Sequence, residues 1–179
     1  MMRARWLFSM VAFLTFLVGF GSWLAHRDTG PGVAAVEISP AALYATAFRD
    51  PSGAEQLLGR YQGRWLVLNF WATWCAPCRE EMPVFSTWQQ TYGARGLSIV
   101  GVSMDDGLGA VRRLLAQNPV SYPVIMGDAR LGERFGGVLG LPLSYLLDGQ
   151  GRVVARYQGE GSLAAIESRL QSLVADLHH

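Results

Sequence analysis

The run Trp65-Leu66-Val67-Leu68-Asn69-Phe70-Trp71-Ala72 constrains this chain more than any other stretch. Only Asn69 interrupts it, so a strand built here has no polar face to turn to water. Such strands lie inside a sheet that is covered by helices on both sides. The rest of the chain alternates accordingly. From about Pro77 to Tyr92, Glu81, Phe85, Trp88 and Tyr92 share one helical stripe. Leu97 to Met104 reads as a second strand. Leu108, Val111, Leu114 and Leu115 mark an amphipathic helix with Arg112 and Arg113 outward. Tyr122 to Met126 is a short strand and Ala129 to Phe135 a short helix. Leu143 to Leu147 and Arg152 to Tyr157 flank Asp148-Gly149-Gln150-Gly151, a hairpin with an Asp-Gly turn. Ser162 to Leu177 forms a last helix with Leu163, Ile166, Leu170, Leu173 and Leu177 on one face. A turn at Arg49-Asp50-Pro51-Ser52-Gly53 precedes a further short helix expected over Ala54 to Tyr61. Strand–helix alternation closed by a hairpin and a helix predicts an α/β sandwich with a mixed sheet.

The strand run leads straight into Trp74-Cys75-Ala76-Pro77-Cys78, which holds the only two cysteines of the 179 residues. A dithiol at a strand-to-helix junction puts its first sulfur at a helix N-terminus. There the unpaired N–H groups and the helix dipole stabilise a thiolate. Such settings lower a cysteine pKa from about 8.5 into roughly the 3.5–7.5 range, and the thiolate is the species that attacks disulfides. A structural zinc site would need about four ligands. The three histidines are His26, His178 and His179, and none is placed to complete one. Redox chemistry is therefore the expectation. A purely structural bridge is the bland alternative, and a tight one.

Residues 6–25, Trp6 to Ala25, contain no charged side chain. Twenty residues at helical rise cross a hydrocarbon core of about 30 Å. Trp6 and Trp23 stand near its ends as interfacial aromatics do, and Arg3 and Arg5 precede it, which predicts a cytoplasmic N-terminus and an exported domain. A cleaved signal peptide is the rival, but bulky Trp23 two positions before Ala25 fits an A-x-A cleavage site poorly. No cysteine follows the run to carry a lipid. Either way the domain is expected outside the cytosol, where disulfides persist. The expected organisation is thus 1–5 cytoplasmic, 6–25 inner-membrane anchor, 26–42 Gly/Pro/Ala-containing linker and 43–179 folded domain. The net charge of +1 gives no hint of nucleic acid. All 15 basic residues are arginine, which excludes Schiff-base chemistry through lysine.

The segment Asn69-Phe70-Trp71-Ala72-Thr73-Trp74-Cys75-Ala76-Pro77-Cys78-Arg79-Glu80-Glu81-Met82-Pro83 resembles the active-site stretch of the thioredoxin fold. More narrowly, it resembles that of the membrane-tethered TlpA/ResA-like thiol–disulfide oxidoreductases. The resemblance covers roughly Phe48 to Leu177. It implies a thioredoxin-like three-layer α/β/α sandwich, with an extra βα unit from about Met104 to Met126. It also implies disulfide exchange outside the cytosol, usually reductive, with no metal or organic cofactor beyond the Cys75–Cys78 disulfide.

On this resemblance Cys75, as the exposed sulfur at the helix start, is the nucleophile. Cys78 is the resolving thiol that frees the substrate from a mixed disulfide. No histidine stands between them, as it does in strongly oxidising relatives, which favours a reductant. Asn69 occupies the place where thioredoxins carry a buried aspartate and cannot move a proton. Glu81 lies one helical turn beyond Cys78 on the inward stripe, so it is the candidate proton shuttle; a solvated role suits Glu80 better. Pro142 matches the cis-proline of the fold, and Leu141 before it would offer its backbone to an extended substrate segment. Trp74, Pro77, Leu141 and Pro142 form the expected substrate-binding surface. Trp71 is read as core, Pro83 as structural and Arg79 as solvated.

The leading expectation is an enzyme: a tethered protein-disulfide reductase acting on exported proteins. Candidate substrates are apocytochrome c, copper-delivery proteins or oxidised enzymes. A membrane electron donor would have to re-reduce it. The alternatives are an oxidase or isomerase on the same scaffold, and a non-catalytic binding module. The Thr-x-x-Cys pattern of a peroxidase is absent.

Overall fold

The computed structural model describes residues 39–176. Its strands are β1 (Ala47–Arg49), β2 (Glu55–Leu57), β3 (Trp65–Trp71), β4 (Leu97–Ser103), β5 (Val124–Met126), β6 (Leu143–Leu147) and β7 (Val153–Gln158). The helices are α1 (Pro40–Tyr44), α2 (Ala76–Tyr92), α3 (Leu108–Gln117), α4 (Ala129–Arg134) and α5 (Leu163–Asp176). The strands form one sheet in the order β2-β1-β5-β4-β3-β6-β7. It is mixed: β3 runs parallel to β4 and antiparallel to β6. The expected thioredoxin-like α/β architecture is present.

The apolar run Trp65–Trp71 is central, as its composition demands. Its alternating side chains feed two cores. Val67 and Trp71 join Phe85, Trp88, Val111, Ile166 and Leu170 of α2, α3 and α5 on one face. Leu66, Leu68 and Phe70 join Leu43, Phe48, Leu131, Phe135 and Tyr145 on the other. Phe70 meets Phe135 and Tyr145 edge-on, with centroids 5.3 and 5.9 Å apart. Such pairs contribute about 0.5–1.5 kcal/mol beyond their buried area. The unit between β4 and β5 inserts its strand between β4 and β1, parallel to β4.

Three expectations change in the structure. Ala54 to Tyr61 is not a helix: it holds β2 and a 3-10 turn over Leu58–Tyr61. The cause is Asp50, whose Oδ1 accepts from the Ser52 and Ala54 N–H groups at 2.8 and 3.0 Å. That local turn folds the chain back as an antiparallel hairpin before a helix can start. The folded domain also begins ahead of residue 43. α1 starts at Pro40, a position whose missing N–H costs a helix nothing, and it buries Leu43. The short strand expected from Tyr122 starts only at Val124, although the Pro123 carbonyl already accepts from Gly101 N–H at 2.9 Å. The expected anchor 6–25 lies outside the described residues. Among the described residues, no helix is long and apolar enough to cross a membrane.

Candidate active site

β3 ends at Trp71, and α2 begins at Ala76 with Cys75 as its N-cap. Cys75 and Cys78 are disulfide-bonded, with Cα atoms 5.3 Å apart. Cys78 N–H donates to Cys75 Sγ at 3.3 Å. The first-turn amide that would otherwise lack a partner is thus aimed at the first sulfur. When that sulfur is a thiolate, the same N–H and the helix dipole stabilise it. Ala76 and Pro77 fill the first turn, where proline costs no intrahelical bond. Cys75 is 6 % exposed and Cys78 1 %. The ranking is the expected one, but Cys75 is far from freely exposed: it packs into the core on the α2 face of the sheet.

Asp105, a residue that reading the sequence did not single out, holds the loop between β3 and α2. Thr73 donates its N–H and its hydroxyl to the two Asp105 oxygens at 2.9 and 2.5 Å. The Ser103 hydroxyl donates to the same carboxylate at 2.8 Å. Met104 N–H donates to the Trp71 carbonyl at 2.8 Å, tying the ends of β3 and β4 together. Arg79 is exposed but not merely solvated: its Nη1 donates to the Thr73 carbonyl at 2.7 Å. The Ser-Met-Asp-Asp-Gly turn after β4 was visible as a loop signal, but nothing in it names Thr73 as its partner.

Glu81 faces inward and is 5 % exposed. Burial, and then the nearby Glu160 charge, push its pKa up to about 7. It can therefore gain and lose a proton near neutrality. Asn69 offers no such chemistry. It is buried, and its Nδ2 donates to Ser144 Oγ across β3 and β6 at 3.1 Å.

The Leu141–Pro142 peptide bond is cis. The antiparallel register Phe70↔Leu143 sets this pair alongside the end of β3, just before the dithiol. Pro142 is buried and Leu141 half-buried. The Pro142 carbonyl accepts from Gly159 N–H at 2.9 Å, while none of the backbone hydrogen bonds among the described residues involves Leu141. Its backbone is available to an added strand. Trp74 is 70 % exposed and Leu139, in the loop before Leu141, is 89 % exposed; Leu139 carried no signal in the sequence. Trp71 is wholly buried. Pro83 lies inside α2. Among the described residues, no cluster of three or more His, Cys, Asp or Glu side chains could hold a metal.

Residues 41–158 match the AhpC/TSA family. The chain belongs to it. A thiol-disulfide oxidoreductase ResA of Bacillus thuringiensis subsp. konkukian (strain 97-27) is 31 % identical over 124 residues, covering 69 % of this chain and 72 % of that one. The Bacillus anthracis ResA is 32 % identical with the same coverage. A solved structure from Chlorobium tepidum, assigned as a thiol:disulfide interchange protein DsbE, superposes with a TM-score of 0.65 at 30 % identity, covering 72 % of this chain and 92 % of that one. With the dithiol and the fold, these relatives make the chain a thiol–disulfide oxidoreductase of the ResA/DsbE type.

Proposed function

We propose that this oxidoreductase is a membrane-tethered reductase of disulfides in exported proteins, of the kind used in cytochrome c maturation or metal-centre assembly. The observation that carries the exchange chemistry is the N-cap geometry: Cys78 N–H is aimed at Cys75 Sγ at 3.3 Å, which favours the Cys75 thiolate, the attacking species. Thiolate stabilisation by itself raises the potential; the reductive direction is supported by Ala76-Pro77 between the cysteines, with no histidine of the kind found in strongly oxidising relatives. Cys75 Sγ attacks one sulfur of a substrate disulfide. An S–S bond forms between Cys75 and that sulfur, and the other substrate sulfur leaves as a thiolate. Glu81 takes the Cys78 proton. Cys78 then attacks Cys75 Sγ, the mixed disulfide breaks, and the second substrate sulfur leaves and is protonated. The substrate gains two electrons and the protein ends as the Cys75–Cys78 disulfide. A dithiol donor in the membrane, of opposite electron flow, returns it to the reduced form.

Leu141, beside the cis-proline, and Trp74 and Pro77 beside the dithiol form the platform on which an extended substrate segment lies. The domain works outside the cytosol, held by the apolar segment 6–25. That placement is supported by the arginines ahead of the segment and by chemistry that needs a compartment where substrate disulfides persist.

The test is a mixed-disulfide trap. Cys78→Ser in the full chain, expressed in its own host, should accumulate a few discrete, reductant-sensitive adducts on Cys75. A cytochrome or copper-protein adduct would identify the pathway. No adducts on an accessible Cys75 would sink the reading. Reduction potential settles direction. A value near thioredoxin's, about −270 mV, supports reduction, and one near DsbA's, about −120 mV, supports oxidation.

A further inference from the structure

Tyr122 Oη and Trp71 Nε1 are the two buried side-chain polar atoms that lack a hydrogen-bond partner among the described residues. Buried donors in folded proteins are almost always paired, and two orphans at one place point to something they share. They come from different elements: Trp71 ends β3 and Tyr122 stands in the connection ahead of β5. Both nevertheless converge on Gly101 of β4. A Cβ there would stand 3.0 Å from Trp71 Nε1 and 3.0 Å from Tyr122 Cε2. Glycine is what lets the indole N–H and the tyrosine ring approach the strand.

The side facing them belongs to α2. The Phe85 ring meets Tyr122 edge-on at 6.4 Å. Glu81 lies one turn earlier on the same buried stripe, and its charge acts on the Tyr122 phenol. Two unpaired donors and a buried carboxyl thus occupy one side of one core.

We propose that Tyr122 Oη and Trp71 Nε1 are positioning groups which, through one shared internal water, hold the Glu81 carboxylate for proton exchange with Cys78. The proposal rests on the proton-shuttle reading of Glu81 given above. The hydrogen-bond count closes. The indole N–H can only donate and the phenol donates its O–H, so the water accepts both and turns its own hydrogens to the carboxylate. The titratable groups bearing on Glu81 are Cys78 on its own helix, Tyr122, and Glu160 from the segment between β7 and α5. Tyr122 stays a donor throughout the working range, because burial and then the Glu81 charge raise its pKa.

Tyr122→Phe keeps the ring and removes only the hydroxyl. The readout is the Glu81 carboxyl titration, followed by 13C NMR in the oxidised full-length protein. Losing the phenol that turns the water toward the charged form should raise the Glu81 midpoint by about one pH unit. The pH limb of mixed-disulfide resolution should move with it. An unchanged midpoint in Tyr122→Phe overturns the proposal. Glu81→Gln separates the two ideas. If resolution keeps its pH limb without the carboxyl, the shuttle reading itself fails. If the limb disappears in Glu81→Gln yet Tyr122→Phe matches wild type, only the positioning role fails. A second, activity-independent measurement is the water–protein NOE at the Trp71 indole N–H. It should be present in the wild type and lost in Tyr122→Phe; its absence from the wild type also overturns the proposal.

Discussion

Thr73 gives both of its hydrogen-bond donors to one carboxylate, Asp105, through its N–H at 2.9 Å and its hydroxyl at 2.5 Å. Thirty-two positions separate the two residues. The pair fixes the loop that carries Trp74 and Cys75, and so fixes where the first sulfur stands relative to the start of α2.

Removing that anchor should loosen the site. Bonds to a charged acceptor are among the stronger ones, so Asp105→Ala should lower stability by about 1–3 kcal/mol. It should also raise the alkylation rate of Cys75 in the reduced protein, because the loop that leads into it loosens. Chemical denaturation and timed alkylation measure the two effects. Unchanged values for both would mean that the loop holds itself.

Glu81 should make stability fall as pH rises. Its pKa is raised in the folded protein to about 7 from an ordinary 4.5, so the folded state binds the extra proton between these values. Its contribution is complete below about pH 4.5 and is lost as pH climbs through about 7, a change of about 3 kcal/mol at most. Glu81→Gln should remove this slope and gain on the wild type with rising pH. Denaturation of the oxidised forms at pH 5 and pH 8 is the check. Parallel profiles would contradict the burial cause.

Asp148 works in the opposite direction. Burial pushes its pKa up, but bonds from Arg152 and Gln150 more than offset this and leave it below the usual range. Its stabilisation is therefore present above the ordinary carboxylate pKa and lost as pH falls through the lower folded value. The N–H groups of Gln150 and Arg152 both reach Oδ1 at 3.0 Å and close the β6–β7 turn. The Arg152 ion pair itself adds little, since that side chain is largely exposed. Asp148→Asn should cost about 1–2 kcal/mol at pH 7 and progressively less toward pH 3, by thermal melts across pH.

Trp74 separates binding from folding. Being mostly exposed, it buries little when the chain folds, so Trp74→Ala should leave the melting temperature almost unchanged. It should slow reduction of protein disulfides several-fold while sparing a small disulfide that needs no platform. An equal loss on both substrates would assign Trp74 to the chemistry at Cys75 instead.

Much of this architecture is legible from the chain because the signals are local. A run such as Trp65–Trp71 can only be a covered strand, and the stripe Glu81, Phe85, Trp88 turns one helix face inward whatever it packs against. The dithiol at their junction, the Asp-Gly hairpin and the proline ahead of β6 are likewise written in neighbouring residues. A local competitor can still redirect a segment: Asp50 captures the amides of Ser52 and Ala54, and the expected helix over Ala54 to Tyr61 becomes a hairpin and a 3-10 turn.

What only the tertiary structure decided is which distant residues meet. Thr73 finds Asp105, Asn69 finds Ser144, and β5 enters the sheet between β4 and β1 rather than at its edge. Trp71 and Tyr122 converge on Gly101. None of these contacts leaves a periodic or neighbour signal, because each depends on the sheet order that brings separate segments side by side. Residue types and spacing determined the elements and the reactive pair. The close-packed interior, which admits only one register and one set of neighbours, determined what surrounds them.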